Sequence, residues 1–230
     1  MATGELEIIF EDNHLIAVNK KPGDIVQGDK TGDEPLSEKV KKYIKDKYDK
    51  PGDVFLGTIH RIDRPVSGVV LFARTSKALE RMNEQFRERE VKKIYWAVVK
   101  NSPPDQQGIL VNYLIKDEIK NKSRAYDAPK GKALKCELEY KLISKSDRYS
   151  LLEINPLTGR HHQIRVQLSK IGCPIKGDLK YGFDRSNPDG SIHLHARRIA
   201  FNHPVTKESI IITAPPPNES LWNFFKTNIG

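Results

Sequence analysis

The chain has 230 residues, and its 39 Lys and Arg outnumber its 30 Asp and Glu, so its net charge at neutral pH is +9. Hydrophobic residues make up 37% of the chain and include too many Leu, Ile and Val for a disordered protein, which predicts a folded domain. No apolar run approaches the roughly 18 to 20 residues of a membrane span, and no basic region precedes an apolar run near the start. We therefore expect neither membrane insertion nor secretion.

The first half of the chain alternates strand patterns with helix patterns. Residues 7–18 predict a hairpin, because two short apolar runs flank a polar turn. Apolar residues at helical spacing over 36–48 predict a helix with Asp33 as its cap. A second helix is predicted over 76–90 with Ser76 as its cap, and the apolar run 69–73 between these helices predicts a strand buried on both faces.

The second half is richer in strands. Extended segments are predicted over 94–99, 109–115, 134–143, 149–154, 193–201 and 209–213. A third helix is predicted from His161 to Ile171, with Gly172 as its end. The fold class is therefore α+β, with helices packed on a mainly antiparallel mixed sheet. We expect a single domain over 1–230, with two lobes of one sheet as the alternative.

The segment from Lys116 to Lys135 is strongly basic, with seven basic residues against three acidic ones. No convincing periodicity covers 123–132. A solvated hairpin arm explains this composition, and so does an arm that follows a phosphate backbone. The two cysteines, Cys136 and Cys173, lie far apart without a C-x-x-C partner. They indicate neither a disulfide framework nor a thiolate zinc site, and fit buried small side chains in a reducing cytoplasm.

Asp63 is the first candidate for chemistry. It stands between Arg61 and Arg64, ahead of a Pro and a Gly that favour a tight turn into the buried strand. The flanking guanidinium groups favour the ionised carboxylate, which suits a nucleophile or a base. A purely structural role, in which Asp63 caps the turn through backbone N–H groups, accounts for the same pattern.

Tyr95 and Arg165 are two further candidates. On a strand, Tyr95 lies on the face opposite Trp96, so its ring packs in the core or is presented to a ligand such as a base. Arg165 falls beside the apolar stripe of the third helix, where a guanidinium group needs an acidic or phosphate partner. Five histidines lie between 161 and 203, but without a metal-binding motif around them we expect no metal.

Three motifs in chain order carry a resemblance to a known family. They are GTIHRIDRPVSGVVLFARTSKA (57–78), KKIYWAVV (92–99) and LTGRHHQIRVQL (157–168), followed by KGDLKYG (176–182) and IHLHARRIAFNHP (192–204). Together they resemble the RluA family of RNA pseudouridine synthases over nearly the whole chain. Two positions depart from the common motif, Ile62 and Val66, and both changes leave Asp63 in place. The resemblance starts directly with the family's catalytic domain. We therefore expect this domain to select the RNA itself, without the S4-like RNA-binding domain that many members of the family carry.

The resemblance implies the pseudouridine synthase fold with a central active-site cleft, and an isomerase that needs no cofactor. It implies that Asp63 is the catalytic aspartate, which either adds to the sugar or base or removes the C2′ proton. It further implies that Tyr95 packs on the uracil, that Arg165 pairs with the aspartate and that Leu194 lines the pocket. Because the target nucleotide must leave the stack, Arg61 is implied to fill the vacated space in the RNA stem.

The implied partner is a stem-loop of ribosomal or transfer RNA, with no membrane and no obligate protein partner. We expect a cytoplasmic monomer. Two other functions are open at this point. A non-catalytic RNA-binding or chaperone protein would keep its function without Asp63, and a phosphodiesterase or glycosidase would show metal dependence or cleave RNA.

Overall fold

The computed structural model describes residues 6–28 and 32–229. Its four helices are α1 Leu36–Lys47, α2 Ser76–Arg87, α3 Gln163–Lys170 and α4 Ser220–Thr227. Its strands are β1 Ile8–Glu11, β2 Leu15–Lys20, β3 Gly57–Thr58, β4 Ser67–Ala73, β5 Lys92–Lys100, β6 Gln107–Asp117, β7 Lys122–Tyr126, β8 Leu134–Lys145, β9 Tyr149–Pro156, β10 Leu194–Asn202 and β11 Ser209–Thr213. The predicted α+β class is confirmed. None of the helices described is long and apolar enough to cross a membrane.

The chain divides into two compact units. The first takes the chain up to Lys92 together with Ala196–Pro216, and the second takes Lys93–His195 together with the chain from Pro217 onward. The prediction of a single domain over 1–230 stays a prediction.

The first unit is built around strand β4. Its strand order is β1-β2-β4-β10, with β11 on β10 and β3 on β4. All seven residues of β4 are buried. Successive side chains of a strand point to opposite faces, so Val69 packs in the cluster that contains Met82 of α2, whereas Val70 packs in the cluster that contains Val40 of α1. The predicted strand buried on both faces is confirmed, because a helix covers each face.

Gly68 lies at the start of β4, where the backbone leaves no room for a side chain. Its φ is +114°, and a Cβ atom there would lie 2.6 Å from the amide nitrogen of Ala196 on β10. Only glycine adopts this backbone conformation without strain. The Gly in the motif around Asp63 is therefore required by the close approach of two strands.

The second unit is an antiparallel sheet with strand order β5-β9-β8-β6-β7. On one face, Trp96 and Val98 of β5 pack with Trp222 of α4. On the other face, Val166 of α3 packs with Cys136 of β8. The two helices therefore cover opposite faces of this sheet. Both cysteines of the chain are free, and both are buried, as the sequence predicted of them.

Several predicted boundaries are wrong for local reasons. Asp33 does not cap α1, because Pro35 is the N-cap residue and Asp33 pairs with Arg64 at 2.8 Å. The cap of α2 is Thr75 and not Ser76, since the Thr75 side chain accepts the N–H of Ala78.

Three further elements differ from their predictions. Helix α3 begins at Gln163 rather than 161, because His162 has a left-handed backbone with φ of 53°. Strand β7 lies inside the basic segment that showed no period, and pairs with β6 from Tyr113 to Asp117. The segment is thus a hairpin arm. Helix α4 was not predicted at all.

Candidate active site

Asp63 lies in the loop between β3 and β4 in the first unit. The loop closes as a turn, in which the Val66 N–H donates to the Asp63 carbonyl oxygen at 3.0 Å. The side chain of Asp63 is half-buried. The backbone next to it is also fixed, because the Arg64 carbonyl accepts the N–H of Gly23 at 2.9 Å. The main chain that carries the Asp63 carboxylate is therefore held by backbone hydrogen bonds, as the motif predicted.

Lys20, at the end of β2, is a residue of this site that the sequence did not identify. Its side chain is 1% exposed, and Nζ donates to the carbonyls of Lys21 at 2.9 Å, Asp24 at 2.8 Å and Arg64 at 3.1 Å. Burial lowers the pKa of Lys20 to about 7, against the attraction of the Asp24 and Asp63 carboxylates. Three acceptors need three N–H donors, which only the protonated ammonium group supplies. Lys20 thus places a cation and three hydrogen bonds beside the Asp63 turn.

The two arginines that flank Asp63 are both exposed. The guanidinium group of Arg64 is bound by Asp33 at 2.8 Å, with both side chains about half exposed. His60 has a structural role, since its Nε2 accepts the N–H of Leu71 at 3.1 Å and its ring stacks on Phe86. The turn thus carries Arg61 on its solvent side, where a partner can reach it.

Tyr95 lies on β5 of the second unit and is half-buried. It pairs with Ile154 of β9, which pairs in turn with Tyr140 of β8. Paired residues of adjacent strands point to the same face, so Tyr95 shares the face covered by α3. The predicted alternation with Trp96 is confirmed, because Trp96 packs on the opposite face against α4.

Arg165 of α3 is 6% exposed and is held by an acid that the sequence analysis overlooked. Its Nε donates to Asp178 Oδ2 at 2.7 Å and its Nη2 to Oδ1 at 2.9 Å. Its guanidinium carbon lies 5.1 Å from the centre of the Tyr181 ring. The predicted need for an acidic partner is met by Asp178. The pairing with Asp63 stays a prediction of the resemblance.

Tyr181 joins Arg165 to the hairpin of β6 and β7. Its hydroxyl accepts the N–H of Ser123 at 2.8 Å and lies 2.9 Å from Nδ1 of His162. The tautomer of the His162 ring sets which of these two atoms is the donor. Burial lowers the pKa of His162 to about 2, and the positive charge of Arg165 adds to this effect. His162 is therefore a neutral imidazole near the guanidinium group.

Leu194 begins β10 and is 4% exposed. The residue before it, His193, is fixed on both sides of its ring, by Asn187 at 3.0 Å and by Glu219 at 2.8 Å. The His193 carbonyl also accepts the N–H of Val98 at 2.9 Å. Leu194 is thus a buried side chain on a rigid segment of backbone.

The histidines that suggested a metal take part in local contacts within their own units. Their partners are Ser123 for His161, Tyr181 for His162, Glu219 for His193 and Asp12 for His203. Across the ranges 6–28 and 32–229, no group of three or more His, Cys, Asp or Glu side chains is placed to hold a metal ion.

The candidate residues are thus divided between the units. Asp63 and Arg61 belong to the first unit, and Tyr95, Arg165 and Leu194 to the second. The family model described as RNA pseudouridylate synthase matches residues 14–170, which is more than half of the chain. The chain belongs to this family. The resemblance carried by the motifs is therefore confirmed, and the matched region contains four of the five candidate residues, all except Leu194.

Curated relatives support the same assignment. Ribosomal large subunit pseudouridine synthase C of Vibrio vulnificus is 35% identical over 214 residues, which cover 90% of this chain and 65% of the relative. This chain thus spans just under two thirds of that protein. The tRNA pseudouridine synthase C of Vibrio parahaemolyticus is 30% identical, and the alignment covers 93% of this chain and 92% of that one.

A solved structure shows the same fold. Human RNA Pseudouridylate Synthase Domain Containing 4 superposes with a TM-score of 0.79 at 23% identity, covering 96% of this chain and 92% of that one. The predicted fold is therefore confirmed as the fold of pseudouridylate synthase domains.

Proposed function

We propose that this protein isomerises uridine to pseudouridine in a stem-loop of ribosomal or transfer RNA. The observation that carries the proposal is the family match over 14–170, because Asp63, Tyr95 and Arg165 all lie inside it. Two relatives, one named for the large ribosomal subunit and one for tRNA, support both RNA classes. The net charge of +9 suits a polyanionic substrate.

The reaction breaks the bond between C1′ and N1, turns the uracil and joins C1′ to C5. A proton leaves C5 and N1 gains one, so nothing is oxidised and no group enters or leaves. The chemistry thus needs a positioned carboxylate, a proton acceptor and a pocket that retains the free base, and we propose that no cofactor takes part. Water must be kept out, because hydrolysis at C1′ would leave an abasic site in the RNA.

We assign the carboxylate to Asp63, whose turn is closed by Val66 and held by Lys20. Its role is either addition to the sugar or base, or removal of the C2′ proton. A uridine with deuterium at C2′ separates these routes, since only proton removal gives a primary isotope effect.

The remaining candidates act on the nucleotide. Tyr95 packs on the uracil, and Leu194 supplies an apolar wall of the pocket. Arg165 supplies a guanidinium group, and its orientation is fixed by the hydrogen bonds to Asp178. Arg61 is exposed on the solvent side of its turn, so it suits the space that an everted nucleotide leaves in the stem. Eversion costs a few kcal/mol, which such a contact offsets in part.

The test is tritium release from RNA that contains 5-tritiated uridine, with wild type, Asp63→Asn and Asp46→Asn. Asp46 is an exposed carboxylate on α1, so its variant controls for the lost charge. We expect Asp63→Asn to abolish release while RNA binding stays largely intact, because phosphate contacts are made elsewhere. Equal loss of binding and release contradicts the assignment, and release unchanged by Asp63→Asn favours a non-catalytic or different role.

Tyr95→Phe refines the role of the tyrosine, because it keeps the ring and removes the hydroxyl. Retained release indicates packing alone, and lost release with retained binding indicates that the hydroxyl takes part in proton transfer from C5.

We also propose that the protein acts as a cytoplasmic monomer. The two buried free cysteines fit a reducing compartment. Light scattering after size exclusion should give a mass near 26.2 kDa, and a mass near twice that value contradicts the monomer.

A further inference from the structure

The turn between β6 and β7 carries an apolar side chain that the proposed reaction does not use. Ile119 is 98% exposed, the highest value among the large hydrophobic residues within the described ranges. Single exposed apolar residues are common on protein surfaces. This one is distinguished by its place at the tip of a hairpin and by the groups around it.

The turn is held in one conformation by its own hydrogen bonds. The Lys120 N–H donates to Asp117 Oδ1 at 3.0 Å, and Asn121 has a left-handed backbone with φ of 44°. Lys180 Nζ donates to the Asn121 carbonyl at 3.0 Å. Ile119 is therefore presented outward by a fixed backbone.

The charges around Ile119 are mainly positive. Between 116 and 124 there are four basic and two acidic residues. One of the acids, Glu118, is already paired with Lys116 at 2.6 Å. Lys120 and Arg124 are exposed, as is Lys180. A lone apolar side chain among cations does not suit an apolar protein groove, but it suits a nucleic acid, which offers phosphates and the faces of unstacked bases.

The base of the hairpin is bonded to the side chains that hold Arg165. The Ser123 N–H donates to the Tyr181 hydroxyl at 2.8 Å, and the Ser123 hydroxyl donates to the His161 carbonyl at 2.7 Å. The Tyr181 ring in turn lies against the Arg165 guanidinium group. The hairpin is thus fixed relative to a residue that we assign to the substrate.

We propose that the tip of this hairpin is an RNA-binding element, in which Ile119 packs against an unstacked base while Lys120 and Lys180 contact the flanking phosphates. This inference rests on the proposed function. RNA loops and bulges provide such bases, and apolar side chains are known to insert between base steps. The hairpin then contacts the RNA at a second point and helps to select the uridine that reaches Arg165.

The first experiment is photocrosslinking with p-benzoylphenylalanine at position 119 of the full chain, using total tRNA and purified ribosomal RNA as probes. Position 109 is the matched control, because Ile109 is an isoleucine of β6 in the same unit and is 62% exposed. We expect RNA to crosslink at 119 well above the level at 109. Equal crosslinking at the two positions overturns the inference.

The second experiment measures binding of the same RNA by Ile119→Ala, Ile109→Ala and Lys120→Gln. We expect Ile119→Ala to weaken binding about fivefold, within the range of an apolar contact to a base. We expect Lys120→Gln to reduce the slope of log affinity against log salt by about 0.7 to 0.9, as for one phosphate contact. Ile109→Ala should bind as wild type does.

Tritium release measured in parallel separates this inference from the proposed function. If release occurs but position 119 crosslinks no better than position 109, the inference is wrong and the function stands. If position 119 crosslinks RNA but no RNA gives release, the function is wrong and the RNA surface stands. If the protein binds phosphatidylserine vesicles through Ile119 and does not bind RNA, the inference is wrong and the hairpin tip is a membrane-binding surface.

Discussion

Replacing Asp178 by Asn tests how Arg165 is held. The two side chains are 7% and 1% exposed and share two hydrogen bonds, at 2.7 and 2.9 Å. Asn keeps one acceptor oxygen but presents an amide donor in place of the other, and it removes the negative charge of Asp178 from the guanidinium group. Breaking a buried pair by removing one partner costs about 3 to 5 kcal/mol, with little screening by solvent at this depth.

Urea unfolding followed by tryptophan fluorescence measures this cost in the right part of the molecule. Both tryptophans of the chain, Trp96 and Trp222, lie in the second unit together with Arg165 and Asp178. With a urea dependence of at most about 3 kcal/mol per molar, a loss of 3 kcal/mol lowers the unfolding midpoint by about 1 M or more.

Asp184→Asn is the matched control, because it removes an exposed ion pair of the same unit. Lys100 and Asp184 lie 2.6 Å apart with side chains 43% and 64% exposed. Such a pair contributes at most about 1 kcal/mol, so the midpoint should move far less. A second control, Asp178→Asn combined with Arg165→Met, should recover part of the loss, because the buried guanidinium charge is removed together with the carboxylate that faced it. Equal midpoints for Asp178→Asn and Asp184→Asn refute the reasoning.

Three further predictions concern single residues. Gly68→Ala should lower the free energy of unfolding by roughly 2 kcal/mol or more, because the new Cβ meets the backbone of Ala196 at a φ of +114°. Thermal unfolding by circular dichroism checks this, and a loss no larger than that of Gly52→Ala, where the space is open, contradicts it. The His162 ring should stay neutral between pH 7.5 and 5, since its pKa is about 2. An NMR titration of its ring protons checks this, and a titration midpoint near pH 6 would disprove it. In the unfolded chain the His162 ring takes up a proton below about pH 6.5, whereas in the folded protein it does not. The His162 ring therefore lowers the free energy of unfolding as the pH falls through that value. The pKa of Lys20 is about 7 in the folded protein and 10.5 when unfolded, so the unfolded form binds more protons between these values. The free energy of unfolding of the wild type, measured relative to Lys20→Met, should therefore rise from pH 7 to 10. A difference between the two proteins that stays constant over this range would contradict the lowered pKa.

Local pattern was sufficient for much of the fold. Strand β4 is predicted from its sequence to be buried on both faces, because the five residues 69–73 are all apolar, and helices do cover both faces. The turn around Asp63 was also predictable, since the residues that form it are neighbours in the chain. The alternation of Tyr95 and Trp96 follows directly from the geometry of a strand.

Short elements were not predictable in the same way. Helix α4 has eight residues, too few to be stable alone, and it depends on packing of Trp222 and Phe225 against β5 and β9. Strand β7 has five mostly polar residues and exists because β6 supplies its hydrogen-bond partners. A sequence pattern does not record a partner strand or a packing surface.

The sequence by itself determined the α+β class, the strands and long helices with clear periods, and the candidate residues carried by the motifs. Only the tertiary structure decided which groups surround them. Asp178 holds Arg165 from thirteen residues away, and Lys20 reaches the Asp63 turn from a strand more than forty residues earlier. The reason is physical: periodicity reports which face of an element is buried, whereas the partner of a buried charge depends on where the backbone brings distant segments together.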